Sequence, residues 1–264
     1  MFFKMNKMKI SAVSYLNTYP FMYGIKNNEK LLQQIEITTD YPSICASKLV
    51  ENKVDIGLVP IAVLPKIEDY EIITDFCIAA YKSVKSVMLF SEVPLNKIDK
   101  IILDYQSRTS VNLAKILASE FWQISPEWAM AEIGFEGNIA GTTAAVVIGD
   151  KALNRLNFHK FEYDLAQQWY EFTGLPFVFA TWTSNKKISS VFLSEFNKSL
   201  KFGVKNIHKT IDFYSEKIKN INFDTEKYLT QNIDYKLDEQ KHKAIELFLH
   251  KLKVLNVDSL SKIK

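Results

Sequence analysis

Hydrophobic and polar positions along the chain follow two spacings, one typical of strands and one typical of helices. Short apolar runs bounded by polar or proline residues predict strands at Lys9–Ser14, Ile35–Asp40, Asp55–Pro60, Ile72–Ile78, Val84–Phe90, Lys100–Leu103, Ala144–Ile148 and Pro176–Thr183. Apolar positions three and four residues apart predict helices at Pro20–Ile25, Pro42–Glu51, Thr109–Phe121, Tyr163–Thr173, Val191–Asn206, Asp224–Gln231 and Asp238–Leu252. Alternating strands and helices are typical of α/β proteins with largely parallel sheets, so the pattern predicts an α/β fold.

Two breaks in the pattern predict two lobes. They lie at Ser91–Pro94 and at Thr183–Asn185, after the last apolar strand. If the chain crosses twice, residues 1–92 and 185–264 form one discontinuous lobe, and residues 93–184 form an inserted lobe. We expect such a pair to close on a ligand in the cleft between the lobes, a common place for small-molecule sites.

A polar turn follows the first predicted strand. Ser14, Tyr15, Asn17 and Thr18 stand between that strand and the helix that begins at Pro20. In open α/β sheets, ligands bind beyond the carboxyl ends of the strands. The hydroxyls, the amide and the N–H groups at the helix start could bind a small polar molecule, or they could only cap the helix beside a packed tyrosine.

A second polar turn, residues 104–110, repeats this arrangement. Ser107, Thr109 and Ser110 place hydroxyls at a predicted helix N-terminus, where free N–H groups and the helix dipole favour an anion. Arg108 lies in the same turn. The glycine spacing of a nucleotide-binding loop is missing, so a carboxylate is the predicted ligand. The alternative is a helix cap with a surface arginine.

Three further segments carry candidate residues. Ser86 lies in a β-rich run and would be unremarkable by itself. Asp150 follows an apolar strand and Gly149, so it is either a residue that projects into the cleft or the N-cap of a helix at 151–156. The triplet Gly174-Leu175-Pro176 ends a predicted helix and leads into an apolar strand, as expected of a cleft wall.

Composition excludes several classes of protein. The chain has 264 residues and a net charge of only +3, with scattered lysines, so it is not predicted to bind nucleic acid. No segment has the roughly 18 apolar residues of a membrane span, and residues 1–9 lack the apolar core of an export signal. We therefore expect a cytoplasmic protein in which Cys45 and Cys77 are reduced.

The predicted turns contain no histidine, no metal-ligand cluster, no activated cysteine and no dinucleotide-binding motif. If the protein is an enzyme, it is predicted to work without a metal or a cofactor, and without an obvious strong base.

Several motifs together resemble the menaquinone biosynthesis family that dehydrates chorismate in the futalosine route. The specific ones are "SYLNT", "SRTS" and "TGLPFVFA", and the likeness runs almost end to end through "DIGLVPIAVL", "SVMLFS", "VVIGDKAL" and "YLTQNIDYKL". The resemblance implies the type II periplasmic-binding-protein fold, two α/β lobes around a ligand cleft. A sister enzyme, 1,4-dihydroxy-6-naphthoate synthase, carries a histidine where this chain has "IGD", which disfavours that assignment.

The resemblance implies a carbon–oxygen lyase that converts chorismate to 3-[(1-carboxyvinyl)oxy]benzoate without a cofactor. It implies catalytic positions at Asn17 and Ser86. The residues predicted to bind the substrate, chosen from the polar turns described above, are Ser14, Tyr15, Ser107, Arg108, Thr109, Ser110, Asp150, Gly174, Leu175 and Pro176. The alternatives are a non-catalytic binder of small aromatic or carboxylate ligands and the sister synthase. Chorismate is the implied partner, with no nucleic acid or membrane, and the oligomeric state is left open.

Overall fold

A computed structural model describes residues 7–261, with side chains described up to residue 255. Residues 1–6 and 262–264, which the prediction assigned to the first lobe, lie outside the described residues. The same is true of most of the segment 1–9, on which the export prediction rests. The strands are β1 (Met8–Val13), β2 (Ile35–Asp40), β3 (Ile56–Pro60), β4 (Glu71–Ala80), β5 (Val87–Ser91), β6 (Lys100–Leu103), β7 (Glu127–Met130), β8 (Thr143–Ile148), β9 (Phe161–Asp164), β10 (Phe177–Ser184) and β11 (Asp234–Lys236).

The α-helices are α1 (Tyr19–Lys26), α2 (Glu29–Gln34), α3 (Pro42–Val50), α4 (Arg108–Ile116), α5 (Asp150–Leu153), α6 (Leu165–Thr173), α7 (Ser190–Lys205), α8 (Ile207–Phe213), α9 (Ser215–Ile218), α10 (Thr225–Lys227) and α11 (Glu239–Ser261). Short 3₁₀ turns lie at Leu16–Thr18, Ile61–Lys66, Leu95–Lys97 and Phe135–Asn138, and π-helical turns lie at Leu117–Trp122 and Tyr228–Asn232. Every predicted strand and helix is found, whereas β7, β9, β11, α2, α8 and α9 were not predicted.

The chain packs into two compact units. Unit 1 contains the residues up to Ile78 together with Ala180–Asn220 and Asp224–Leu237, and unit 2 contains Ala79–Phe179, Ile221–Phe223 and the residues from Asp238 onward. The crossings therefore come at 78/79 and 179/180, inside β4 and β10, and not at 92/93 and 184/185 as predicted. The helix α11 also falls in unit 2, although the prediction placed it in the first lobe.

Aromatic packing explains where α11 lies. The ring of Phe248 on α11 is buried, and its centroid is 5.3 Å from that of Phe177 and 6.2 Å from that of Trp169. Both partners belong to unit 2. Edge-on aromatic contacts of this kind contribute more than their buried area alone.

Each unit contains one mixed sheet. The order is β11-β4-β10-β3-β1-β2 in unit 1 and β7-β6-β8-β5-β9 in unit 2. β1 pairs in parallel with β2 and β3, and β6 with β7 and β8, but β10 is antiparallel to β3 and β5 is antiparallel to β8 and β9. The prediction of largely parallel sheets was wrong at β5 and β10.

Two glycines let α1 and α7 of unit 1 approach closely. A β-carbon at Gly24 would lie 1.9 Å from the carbonyl oxygen of Ser199, and one at Gly203 would lie 1.7 Å from that of Pro20. No larger residue fits at either position without moving a helix. Because α1 directly follows the first polar turn, this contact also fixes the position of that turn.

Among the helices in the described range, none is long and apolar enough to cross a membrane. The cytoplasmic location stays a prediction.

Candidate active site

The polar turns of unit 2 meet at one edge of its sheet. Leu103 of β6 lies opposite Val146 of the parallel β8, and β5 runs antiparallel to both β8 and β9. The carboxyl ends of β6, β8 and β9 therefore meet the amino end of β5. This edge brings together Ser86, the turn 104–110 and Asp150, in the position where ligands bind to open α/β sheets.

Ser86 lies immediately before β5 and not within a strand as predicted. It is 1% exposed, and its carbonyl accepts a 2.8 Å hydrogen bond from the N–H of Gly149. This bond fixes Ser86 beside the turn that carries Asp150. The strand begins late because Lys85 has a φ of 64°, a left-handed conformation that extended pairing does not permit.

One carboxylate holds the loop before β5. Asp164 accepts hydrogen bonds at Oδ2 from the Ser83 hydroxyl and the Lys85 N–H, both at 2.7 Å. Its Oδ1 accepts from the N–H groups of Ala166 and Gln167 at 3.1 and 3.2 Å. Asp164 thus caps α6 and anchors a loop about 80 residues earlier in the chain.

The turn after β6 carries a pair of hydroxyls at the start of α4. The Ser107 hydroxyl accepts from the Ser110 N–H at 3.2 Å and lies 2.9 Å from the Ser110 hydroxyl. Ser107 therefore caps α4, while Thr109 and Ser110 are buried beside it. Arg108 is exposed and makes no ion pair with any residue that the structure describes. Carboxylate binding by this turn stays a prediction.

Asp150 begins α5 and is half-buried. The N-cap is Gly149, so the capping role predicted as an alternative for Asp150 was wrong, and the helix ends at Leu153 and not at residue 156. Gly149 has φ 66° and ψ −150°, which glycine alone adopts without strain. In the first turn of a helix, the Asp150 carboxylate interacts favourably with the helix dipole.

Asp104 is a third carboxylate at this edge, and it was not predicted as a site residue. Asp104 is 1% exposed, its Oδ1 accepts from the Gln106 N–H at 2.9 Å, and its Oδ2 has no hydrogen-bond partner among the described residues. Burial raises the pKa of Asp104 above its ordinary value of 3.8, although the Gln106 bond and the charge of Lys151 oppose this shift. Lys151 itself is paired with Glu136 at 2.7 Å.

In unit 1, the first polar turn also lies at the carboxyl edge of a sheet. β1, β2 and β3 are parallel, and the antiparallel β10 places Ala180 opposite Pro60 at the same edge. The turn 14–18 follows β1 there, and the Ser14 N–H donates to the carbonyl of Asp40 at 2.9 Å.

Asn17 occupies the 3₁₀ turn that leads directly into α1. Its side chain is half-buried, and its Oδ1 accepts a 3.3 Å hydrogen bond from the Thr18 hydroxyl. The half-buried ring of Tyr15 lies against that of Tyr41, with 6.3 Å between centroids. This turn therefore offers an amide and one phenol ring at the edge of the unit 1 sheet, and Tyr41, which follows β2, adds a second ring beside it.

The Asp40 carboxylate fixes the neighbouring strand ends. Oδ2 accepts from the Ser11 hydroxyl at 2.8 Å, from the Thr38 hydroxyl at 2.9 Å and from Lys48 at 2.6 Å. Burial acts to raise the pKa of Asp40, but the three hydrogen bonds outweigh it and lower the pKa below 3.8. Asp40 is therefore ionised and stabilises the strand end that holds Ser14.

In the contacts that the structure describes, residues 174–176 end α6 and pack against it. Gly174 ends α6 with a left-handed φ of 70°, and the Pro176 carbonyl accepts from the Trp169 indole at 3.1 Å. The nine residues of α6 separate this triplet from Asp164 by a length on the order of 13 Å. The structure does not bring the triplet to the edge that carries Asp164, so substrate binding by the triplet stays a prediction.

At the unit 2 edge, Asp164 and Asp104 are the two described carboxylates that the sequence did not predict as site residues, and Asp40 is one at the unit 1 edge. A signal existed for Asp164, because an N-cap aspartate three residues before Gln167 fits the capping-box spacing. For Asp104, the signal was its place directly after an apolar strand.

Solved structures define the class of fold. The chain matches a protein from Archaeoglobus fulgidus with a TM-score of 0.75 and 12% sequence identity, covering 97% of this chain and 100% of that one. It matches a Candida albicans gene product described as having the generic periplasmic binding protein structural fold, with a TM-score of 0.58 and 12% identity over 94% of this chain and 90% of that one. The predicted periplasmic-binding-protein-like fold is confirmed.

The sequence comparison then gives the family. The family model for menaquinone biosynthesis matches residues 8–253, so the chain belongs to the menaquinone biosynthesis family. A curated chorismate dehydratase from Campylobacter jejuni is 28% identical over 250 residues, 92% of each chain. Another from Thermus thermophilus is 26% identical over 191 residues, 66% of this chain and 68% of the relative.

Proposed function

We propose that this protein is a chorismate dehydratase that converts chorismate to 3-[(1-carboxyvinyl)oxy]benzoate and water. The proposal is supported by the convergence of Ser86, Asp150 and the turn 104–110 on one sheet edge of unit 2. It is also supported by two curated relatives that bear this name and by membership of the menaquinone biosynthesis family.

The chemistry needs little from the protein. The hydrogen at ring C3 of chorismate is vinylogous to the ring carboxylate, so a carbanion that forms there can delocalise. Departure of the C4 hydroxyl as water then makes the ring aromatic, which supplies the driving force. The protein has to orient the dianion and stabilise the charge that develops in the transition state.

Unit 2 is proposed to hold one carboxylate of the substrate. The start of α4 supplies N–H groups and a positive dipole end, and the hydroxyls of Thr109 and Ser110 lie in its first turn. Arg108, which is exposed and makes no ion pair with described residues, is available for a second carboxylate.

Asn17 and Ser86 are proposed to flank the reacting carbon and the leaving hydroxyl. Each lies at the edge of its own sheet where the carboxyl ends of the parallel strands meet. Neither is a strong base, so the substrate's own enolpyruvyl carboxylate is the proposed acceptor of the C3 proton, which it then passes to the departing C4 hydroxyl so that water leaves. Asn17 and Ser86 would then act by orienting groups and donating hydrogen bonds.

The test compares site variants with matched controls. Asn17→Ala and Ser86→Ala are expected to lower chorismate turnover by about 10- to 1000-fold, the range for loss of one preorganised donor. Ser91→Ala is the control for Ser86, because Ser91 is a buried serine at the other end of β5. Asn27→Ala, at the far end of α1, is the control for Asn17.

Turnover by the wild type with loss in both site variants, but in neither control, supports the proposal. Wild-type turnover with no loss in Asn17→Ala and Ser86→Ala would overturn the residue assignment. Absence of turnover by the wild type, together with a rise in its melting temperature on addition of chorismate, would instead indicate a binding protein.

A further inference from the structure

The loop that ends at Ser86 is held in a conformation that it would not adopt alone. Lys85 has a φ of 64°. Residues other than glycine, asparagine and aspartate seldom adopt this left-handed backbone conformation. Two bonds compensate for this strain. They join the Lys85 N–H and the Ser83 hydroxyl to the same Oδ2 of Asp164.

The Asp164 side chain is itself held in place by neighbouring contacts. Oδ1 of Asp164 accepts from two N–H groups in the first turn of α6, and the residue is 7% exposed. In addition, β9 pairs with β5, with Asp164 opposite Met88. The carboxylate is therefore fixed relative to the strand that Ser86 precedes.

We propose that Asp164 is a positioning residue that holds the loop 83–85, and through it Ser86, in the geometry needed for turnover. This inference rests on the proposed function, and it adds a residue that does not itself contact the reacting atoms. A displacement of about 1 Å in a catalytic group can lower a rate about 100-fold, so the anchor matters even at a distance.

Asp164→Asn separates the two roles of the side chain. Asparagine caps helices as well as aspartate does, so Oδ1 can keep the α6 cap. The amide nitrogen that replaces Oδ2 cannot accept from the Lys85 N–H. The expected result is a kcat about 10- to 100-fold lower with little change in KM. The melting temperature should also fall, because the Lys85 N–H loses its buried acceptor. Asp224→Asn makes the same exchange at the N-cap of α10, which anchors no loop in the described contacts, and is expected to change neither kcat nor KM.

Two further variants distinguish positioning from a general structural role. If Asp164 acts through Ser86, Asp164→Asn should lower turnover no further in a Ser86→Ala background. Lys85→Gly, which removes the penalty for positive φ, should restore part of the kcat lost in Asp164→Asn. Rate losses that multiply in the double variant, or a fall in melting temperature without a fall in kcat, would overturn the proposal.

Amide hydrogen exchange gives a readout that does not depend on the reaction. In Asp164→Asn the amide of Lys85 should exchange at least about 10-fold faster, while the amides of Ala166 and Gln167 stay protected. An unchanged exchange rate at the Lys85 amide would refute the proposal that Asp164 holds this loop. Absence of chorismate turnover by the wild type would refute the proposed function and with it the role in turnover, while the exchange data would still decide whether Asp164 anchors the loop.

Discussion

Replacement of Gly203 by alanine tests the close contact between α1 and α7. The new β-carbon would lie 1.7 Å from the Pro20 carbonyl oxygen, whereas carbon and oxygen atoms in contact need about 3.3 Å. The helices would have to separate by roughly 1.5 Å at this point. The cost of such overpacking is typically about 1–3 kcal/mol and can be more.

Helix propensity opposes this loss only in part. Alanine favours a helix interior over glycine by about 1 kcal/mol. Because the clash involves the backbone of α1 and no side chain can turn aside, we place the overpacking cost at or above the upper end of its range. The expected net loss is about 2–4 kcal/mol, which lowers the melting temperature by roughly 5–15 °C in a chain of this size.

The displacement should also reach the candidate site, because Pro20 lies three residues after Asn17. We expect kcat for chorismate to fall about 10-fold or more at a temperature where the variant is still folded. Calorimetry and steady-state kinetics measure the two effects. Gly137→Ala is the control, since a β-carbon there meets nothing within 4 Å. If Gly203→Ala melts at the same temperature as Gly137→Ala, the close approach of the helices is refuted.

Two pH-dependent predictions concern the carboxylates. Because the pKa of Asp40 is lowered in the folded state, its contribution to stability is present above the unfolded value of about 4 and is lost as the pH falls through the folded pKa. Asp40→Asn should therefore destabilise the protein by about 1–3 kcal/mol at pH 7, and thermal melts should show the difference shrinking toward pH 3. A constant difference would contradict the lowered pKa. Because burial raises the pKa of Asp104, the stability linked to its protonation is present below the unfolded value and is lost as the pH rises through the folded pKa. The melting temperature of Asp104→Asn relative to wild type should thus increase from pH 4 to pH 7, and a decrease would refute the raised pKa.

Local patterns predicted the strands and most of the polar turns, because both depend on neighbouring residues. The turn at 14–18 and the turn at 104–110 stand where an apolar run meets a helix start, and the structure has them at the carboxyl edges of two sheets. Parallel pairing along β1, β3, β6 and β8 follows from the same alternation.

Contacts between distant parts of the chain were not predictable in this way. The bond between Asp164 and Lys85 joins residues 79 positions apart, and the left-handed φ of Lys85 has no signature in a residue type that usually avoids it. The place of α11 in unit 2 depends on Phe248 meeting Trp169, which periodicity within α11 cannot reveal. The helix α6 was predicted to start at Tyr163, because the extended β9 and the Asp164 cap were not separated from the helical pattern.

The most direct test of the account is to incubate the purified protein with chorismate and follow the product by ultraviolet absorbance and mass spectrometry. If the protein is a chorismate dehydratase, the product is lighter than chorismate by one water molecule and has a benzoate-like spectrum. It should form at a rate proportional to protein concentration, and more slowly with Ser86→Ala. Chorismate recovered unchanged, by a protein that is folded by calorimetry, would contradict the dehydratase assignment.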